Sequence, residues 1–232
     1  MKDSFHKFPH TPHLIWLGEG APREDKIMSP AEAAEFLAQP VVIEEKVDGA
    51  NLGLSVAADG RIRAQSRGNY LAPGRSHAQW NPLWPWLARR GPSLVAVLGA
   101  ERMLFGEWCH ARHTIAYDAL PDWFLAFDVF EPRSGLFWST DRRNTLAADL
   151  NLATVPEVFR GHATLRALPK LVKTSVLGAA RMEGIYLRTE AHGRLLGRAK
   201  VVGVEFKQRI EAHWTRRALI PNHLAVETAA RS

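Results

Sequence analysis

Cysteine is almost missing from this chain: among 232 residues there is one, Cys109. A lone thiol cannot close an internal disulfide, so no cross-link can hold the fold, and such usage fits a reducing cytoplasm. Long apolar runs are missing as well. No stretch of about 18 apolar residues offers a membrane span, and the opening MKDSFHKFPHTPHL has no apolar segment of the secretory kind. No internal repeat or low-complexity tract interrupts the chain. What remains is ordinary globular material, 46% hydrophobic and 23% charged, in a length that suits one large domain or two small ones with a real core. The formal charge of +6, from 30 basic and 24 acidic residues, permits a polyanionic partner without requiring one.

Strand and helix signals are mixed and show no regular βαβ alternation. Ser29 followed by Pro30 and Glu32 reads as a capping box opening a helix over PAEAAEFLA, closed before Pro40. Val41 to Lys46 is rich in β-branched residues. Asn51 to Ala57 is strand-like, and Asp59-Gly60 turns the chain into RIRAQSR, so the three segments read as a β-meander. HAQWNPLWPWLARR is helical at its end, its start broken by Pro82 and Pro85. RMLFGEW and WFLAFDVF are strands by their aromatic and β-branched content. TDRRNTLAADL is a helix capped by Thr140 or Asp141, VPEVFR a short strand, and ATLRALPKLVK a helix interrupted at Pro169. EGIYLRTE and RLLGRAKVV form a hairpin around His192-Gly193, and Glu205 to Arg217 is a final helix. These elements imply an α+β fold of mostly antiparallel sheets flanked by helices.

The chemistry centres on VVIEEKVDGANLGLSV, Val41 to Val56. Side chains two apart on a strand share a face, so Glu44, Lys46 and Asp48 point one way and Glu45 the other. Gly49 lets the backbone turn or approach a ligand closely. A surface ion pair is the plain reading of such a Lys–Asp neighbourhood. The alternative is a nucleophilic lysine. A free amine, with a pKa near 10.4, is neutral in about one molecule in a thousand at pH 7.4, so the site must supply cations or burial to depress it, and acids for the metal of a nucleotide. Downstream segments offer both kinds of group: Arg67 in SRG, Glu107 in FGEW, Phe127 in FDVF, Glu183 in EGIYLR, and Arg198 and Lys200 on one face of RAK.

In this succession the segments resemble motifs I, III, IIIa, IV and V of the covalent nucleotidyltransferase superfamily, the polynucleotide ligases and capping enzymes. EKVDGAN, GEW, LPDWFLAFDV and EGIYLR are most similar to the nick-sealing branch of the ATP-dependent RNA ligases, and KFPHTPHL and EAHWTRR also look like segments of that group. The resemblance covers roughly residues 5 to 217. It implies a nucleotidyltransferase (adenylation) domain over 1–232 with a motif-bearing core of about 41–208, a central nucleotide cleft, and no OB-fold or other C-terminal domain, since only about 25 residues follow motif V. It also implies ATP as co-substrate, Mg2+ or Mn2+ as metal, and RNA with 3′-hydroxyl and 5′-phosphate ends as substrate. A partner protein from RNA repair would supply further RNA contacts.

The resemblance assigns roles residue by residue. Lys46 is the nucleophile that takes up AMP. Glu45 sits near adenine through its backbone. Asp48 and Asn51 orient the RNA ends, or the ribose and metal. Arg67 contacts phosphate. Glu107 contacts ribose or metal, and Phe127 stacks on adenine. Glu183 binds metal and orients the lysine. Lys200 grips the α-phosphate and lowers the pKa of Lys46. Arg198 stands where lysine is usual and would bind phosphate, since arginine keeps the charge while losing the capacity to donate a proton at neutral pH. Within the same superfamily, a DNA ligase, a GTP-dependent capping enzyme, or a non-catalytic nucleotide- or RNA-binding module would share these motifs.

Other features have plainer readings. CHARH (Cys109, His110, His113) and His6, His10 and His13 lack the ligand spacing of a zinc site, and His113 is better read as lining the site. Trp80, Trp84 and Trp86 could stack on bases but read more naturally as core. The arginine pairs at 89–90, 142–143 and 216–217, and Lys207, read as solvated faces.

Overall fold

A computed structural model describes residues 5–17, 26–203 and 219–225; the expected helix from Glu205, with Lys207, the EAHWTRR segment and Arg216–Arg217, lies outside the described residues. The elements run α1 (Pro30–Leu37), β1 (Val41–Lys46), β2 (Ala50–Val56), β3 (Ile62–Gln65), a 3-10 turn (Ala78–Trp80), α2 (Leu83–Leu98), β4 (Met103–Trp108), β5 (Phe124–Glu131), β6 (Leu136–Phe137), α3 (Thr140–Asp149), β7 (Ala153–Thr154), β8 (Glu157–Gly161), α4 (Leu168–Leu171), β9 (Gly184–Ala191) and β10 (Arg194–Val202). They build two sheets. One has the order β10-β9-β1-β8; the other has β3-β2-β4-β5-β6, with β7 beside β5. All pairings are antiparallel except β5 with β7. The α+β expectation is met. No described helix is long and apolar enough to cross a membrane.

The meander expected from Val41 onward does not form. β1 and β2 lie in different sheets, and Val47, Asp48 and Gly49 carry the chain from one to the other. A short connection usually makes a hairpin. Here each strand finds a better partner: β1 lies between β8 and β9, and β2 between β3 and β4. Gly49 serves this crossing, because a Cβ there would lie 2.7 Å from the carbonyl oxygen of Trp108, and it also lines the cleft between the sheets.

Local signals account for most boundaries. At α1 the Ser29 hydroxyl accepts from the Glu32 N–H (3.2 Å), and the Glu32 carboxylate accepts from the Ser29 N–H (2.6 Å), so the capping box is complete. Ser139, rather than Thr140 or Asp141, caps α3. Helix α2 outruns its expected length. Pro85 falls in the first turn, where its missing N–H has no intrahelical partner to lose. Pro92 lies inside the helix and costs about 3 kcal/mol. Burial of Trp86, Leu94 and Leu98 against the β2–β4 face offsets that cost. The last hairpin turns on His192 (φ +51°) and Gly193 (φ +71°), the left-handed pair that a two-residue hairpin loop favours. Residues 163–173 hold only the single turn α4.

Each sheet has an apolar outer face. Leu52, Leu54, Leu104, Trp108, Phe124 and Val129 pack with Trp80, Trp86 and Leu146 on one side. Ile43, Ile185, Leu187, Ala199 and Val201 pack with Leu14, Phe36 and Leu168 on the other. Trp80 and Trp86 are thus core residues.

Between the sheets lies a buried ionic cluster. Arg188, fully buried, bonds Asp128 (2.5 Å) and Glu190 (2.9 Å) and lies 3.7 Å from Glu44. Arg143 bonds Glu44 at 2.6 Å, both side chains 1% exposed, and Arg198 reaches Asp128 at 3.4 Å. Arg143 is therefore not on the solvated face expected of the 142–143 pair. Its helix turns it inward because a buried carboxylate of β1 waits there. Arg90, also read as solvated, pairs with Asp122 at 2.7 Å.

Removing one member of such a cluster leaves opposite charges stranded. Arg188→Ala should destabilise the fold by about 3–5 kcal/mol, whereas Arg160→Ala, which breaks only the surface pairs to Asp141 and Glu157, should cost at most about 1 kcal/mol. Denaturant unfolding of both variants checks the contrast.

Candidate active site

A cavity of about 340 Å³ opens between the sheets, large enough for a small ligand. Phe8, Pro9 and Thr11 line it from the N-terminal segment. Glu44, Glu45, Lys46, Tyr186 and Lys200 line it from β1, β9 and β10, and Asn51, Glu107 and Phe127 from β2, β4 and β5, with Arg67 after β3.

Lys46 ends β1, and Gly184 is its cross-strand partner. Glu183, just before β9, therefore stands beside the amine: Lys46 Nζ donates to Glu183 Oε1 at 2.5 Å. Gly184 is required there by crowding, since a Cβ would fall 2.2 Å from the carbonyl oxygen of Val201 on β10. Glu107 comes from the other sheet, and its Oε1 accepts the Gly49 N–H at 3.1 Å, which ties it to the crossing after Lys46.

Three acids thus surround the amine. Burial disfavours the charged lysine, but the charge and hydrogen bond of Glu183, with the charges of Glu107 and Asp48, outweigh it and raise the lysine pKa. Sequence reasoning expected the reverse, cations depressing that pKa; carboxylates are the nearer neighbours. The acids feel the same crowding. Burial, against the lowering pull of Lys46, pushes Glu107 up to about 8, with repulsion from Glu183 and Asp48, and Glu183 up to about 7, with repulsion from Asp48.

The remaining predicted residues divide between the cavity and its supports. Lys200 lines the cavity, and its charge acts on Glu183. Its backbone N–H donates to Pro12 and its carbonyl accepts from Leu14, so the N-terminal segment runs alongside β10. Phe127 lines the cavity, with the Phe8 ring edge-on at 5.2 Å. Its carbonyl oxygen accepts from Arg143 (2.8 Å) and Arg188 (3.2 Å). Asn51 lines the cavity, and its buried Oδ1 has no hydrogen-bond partner. Arg67 is exposed at the edge.

Four side chains are engaged elsewhere, although Glu45 still lines the cavity. The Asp48 carboxylate accepts from the N–H groups of Thr114 (2.7 Å) and Ile115 (2.8 Å), so it organises the loop after β4. The Glu45 carboxylate accepts from the Ser175 hydroxyl at 2.6 Å, and burial lifts its pKa to about 7. Arg198 lies over the Phe137 ring at 4.1 Å and against Asp128 and is not among the lining residues. His113 meets Gln79 at 3.1 Å, also away from the lining.

Sequence reasoning missed Tyr186 and Thr11, whose hydroxyls meet at 3.1 Å on the cavity wall. It also missed Glu44 and Arg143 as supports. For Tyr186 a signal existed: it lies two residues after Gly184, opposite Lys200 in the hairpin register. For Thr11 there was none.

Comparison with known proteins bears on the fold and the family. No curated protein sequence matches the chain. Solved structures do. An archaeal ATP-dependent RNA ligase superposes with a TM-score of 0.61 at 17% identity, over 85% of this chain and 48% of its own. Naegleria gruberi RNA ligase with PPi gives 0.59 at 18%, over 86% and 59%. A point mutant of that enzyme with ATP and Mn gives 0.56 at 17%, over 75% and 53%. The chain spans about half the length of these structures, and at such identities the likeness is one of fold. The family profile of the RNA ligases matches residues 39–202, which takes in Lys46, Glu107, Phe127, Glu183 and Lys200, and on that coverage the chain belongs to the RNA ligase family.

Proposed function

We propose that this protein is an ATP-dependent RNA ligase of the nick-sealing kind. Acting as a single adenylyltransferase unit, it joins RNA 3′-hydroxyl and 5′-phosphate ends through a lysyl-AMP on Lys46 and an adenylated 5′-end. The observation that carries this reading is the Lys46 amine facing a nucleotide-sized cavity, 2.5 Å from a carboxylate raised to about 7.

An amine attacks phosphorus only after losing its proton. Glu183 is in contact with that proton, and its raised pKa makes it a far better acceptor than an ordinary carboxylate. In the first step the Lys46 Nζ–P bond forms, the bond from the α-phosphorus to pyrophosphate breaks, and the proton passes to Glu183. In the second, an oxygen of the RNA 5′-phosphate attacks the same phosphorus, the N–P bond breaks and the amine recovers a proton. In the third, the RNA 3′-hydroxyl attacks the adenylated 5′-phosphate and AMP leaves. Lys200 and Arg67 hold phosphate oxygens, and Phe127 stacks on adenine. The partnerless Asn51 Oδ1 accepts from a substrate hydroxyl. Arg198, engaged by Asp128, supports the wall, so the grip on the α-phosphate falls to Lys200.

Glu107 and Glu183 fit a divalent cation, Mg2+ or Mn2+, because two crowded buried carboxylates are relieved by positive charge. Among the described residues no set of three His, Cys, Asp or Glu could hold an ion alone, which suits a cation that keeps water and phosphate oxygens as ligands. When bound it neutralises the triphosphate. The Naegleria ligase structure with ATP and Mn supports a divalent metal alongside ATP.

Incubation with α-labelled ATP and Mg2+ should leave label on denatured wild-type protein and none on Lys46→Ala; equal labelling of both would remove Lys46 as nucleophile. Unlabelled GTP or NAD should not compete for labelling, and nicked RNA should be sealed in preference to nicked DNA.

A second prediction concerns pH. Glu183 must be deprotonated to accept the proton, and its raised pKa puts that loss near neutrality. The rate of lysyl-AMP formation should therefore rise about tenfold per pH unit and level at or below about 7, because a bound cation pulls the Glu183 pKa down from its metal-free value. Glu183→Gln should remove this limb and slow the step by about 10²–10⁴-fold. Single-turnover rates from acid to mildly alkaline pH measure both.

A further inference from the structure

The chain's positive charge is concentrated in one place. From Gly60 to Ala100 there are six arginines, at 61, 63, 67, 75, 89 and 90, and neither aspartate nor glutamate. Those six equal the net charge of +6, and the other 24 lysines and arginines are balanced by 24 acids. Arg90 is neutralised by Asp122, and Arg89 lies with it on α2. What remains is β3 and the loop that follows it.

That loop adjoins the cavity. Arg63 and Gln65 share one face of β3, and Arg67, two residues on, lines the cavity edge. Ser66 fixes the turn, exchanging hydrogen bonds with Asn69, and Tyr70 returns to bridge with Gln65. The Tyr70 ring stays 39% exposed. The Arg63 guanidinium lies 4.5 Å from its centroid, and the Phe5 ring meets it at 80° and 5.1 Å. Exposed aromatic side chains are usually left free to rotate; this one is held from two sides. Arg75 is exposed at the far end of the loop. Neither Arg67 nor Arg75 pairs with a described carboxylate.

We infer that this surface, Arg63, Tyr70 and Arg75 leading away from Arg67, is the track along which the RNA strand leaves the active site. A row of guanidiniums without interleaved acids matches a polyanionic backbone, and a fixed aromatic among them offers a face or edge to a ribose or base. The inference rests on the ligase reading for its choice of RNA, but its test is one of binding and does not need turnover.

Binding of a labelled, 5′-phosphorylated single-stranded RNA is measured by fluorescence anisotropy across a salt series. Arg63→Ala/Tyr70→Ala/Arg75→Ala should bind at least tenfold more weakly, with the slope of log affinity against log salt reduced by about 1.4, two cations at about 0.7 each. Arg75→Glu, a surface change that keeps the Arg63–Tyr70 contact, should weaken binding about fivefold or more. Lysyl-AMP formation from ATP alone should stay within about twofold of wild type in both. Lys170→Ala/Lys173→Ala, which removes two exposed cations around α4, should leave RNA affinity unchanged. Wild-type affinity in Arg75→Glu, or an equal loss in the Lys170/Lys173 variant, would overturn the track. Absence of lysyl-AMP in wild type would instead sink the ligase reading, and the binding series would still decide the surface.

Discussion

The contacts between Arg188, Arg143 and the carboxylates Glu44 and Asp128 are the constraint on which the site depends. Two sheets that meet through an aromatic cluster of Phe8, Phe105 and Phe130 have no directional reason in that packing to hold one fixed separation along their inner faces, where the ligand must enter. The ionic cluster supplies that reason. It gathers β1, β5, β9, β10 and α3 at one point, and a buried charge tolerates little displacement from its partner. Such clusters are weak sources of net stability, because the desolvation of the ions consumes most of their attraction. Their use here is positional: the separation of the sheets sets the width of the cavity.

The same cluster reaches the cavity through backbone. Both Arg143 and Arg188 donate to the carbonyl of Phe127, while Glu44 is two residues from Lys46 on the same face of β1. The wall that carries the aromatic ring and the strand that carries the amine are therefore registered against each other by one set of charges. An acid cluster around Lys46 then stores a proton among Lys46, Glu183 and Glu107, each shifted upward from its ordinary range.

Much of this site was legible in the sequence, and the limit of legibility is physical. Lys46, Asn51, Glu107, Phe127, Glu183 and Lys200 could be named because ordered motifs and a period of two along strands report which side chains share a face. Period reports nothing about distance between faces. It could not show that Asp48 is drawn to the amides of Thr114 and Ile115, nor that Arg198 is held by Asp128 while Lys200 lines the cavity. Arg143 was read as solvated because a helix of polar residues looks alike whether or not a carboxylate is buried opposite it. The split of β1 from β2 escaped because local rules favour a hairpin, whereas competition among strands far apart in sequence decided the pairing. Pro92 in α2 is the same case in miniature: local propensity lost to burial of Trp86 and Leu94.

The passage of the chain between sheets at Val47–Gly49 divides the site into two bodies. Lys46 and Glu183 belong to one sheet as neighbours across adjacent strands, and the aromatic wall belongs to the other. Spreading the cleft to admit or release a large ligand would carry nucleophile and proton acceptor together as one piece. Reach toward the bound nucleotide would then vary with the breathing of the cleft; the contact between the amine and Glu183 would persist, while the influence of Glu107, which rides on the opposite sheet, would fade as the gap widened.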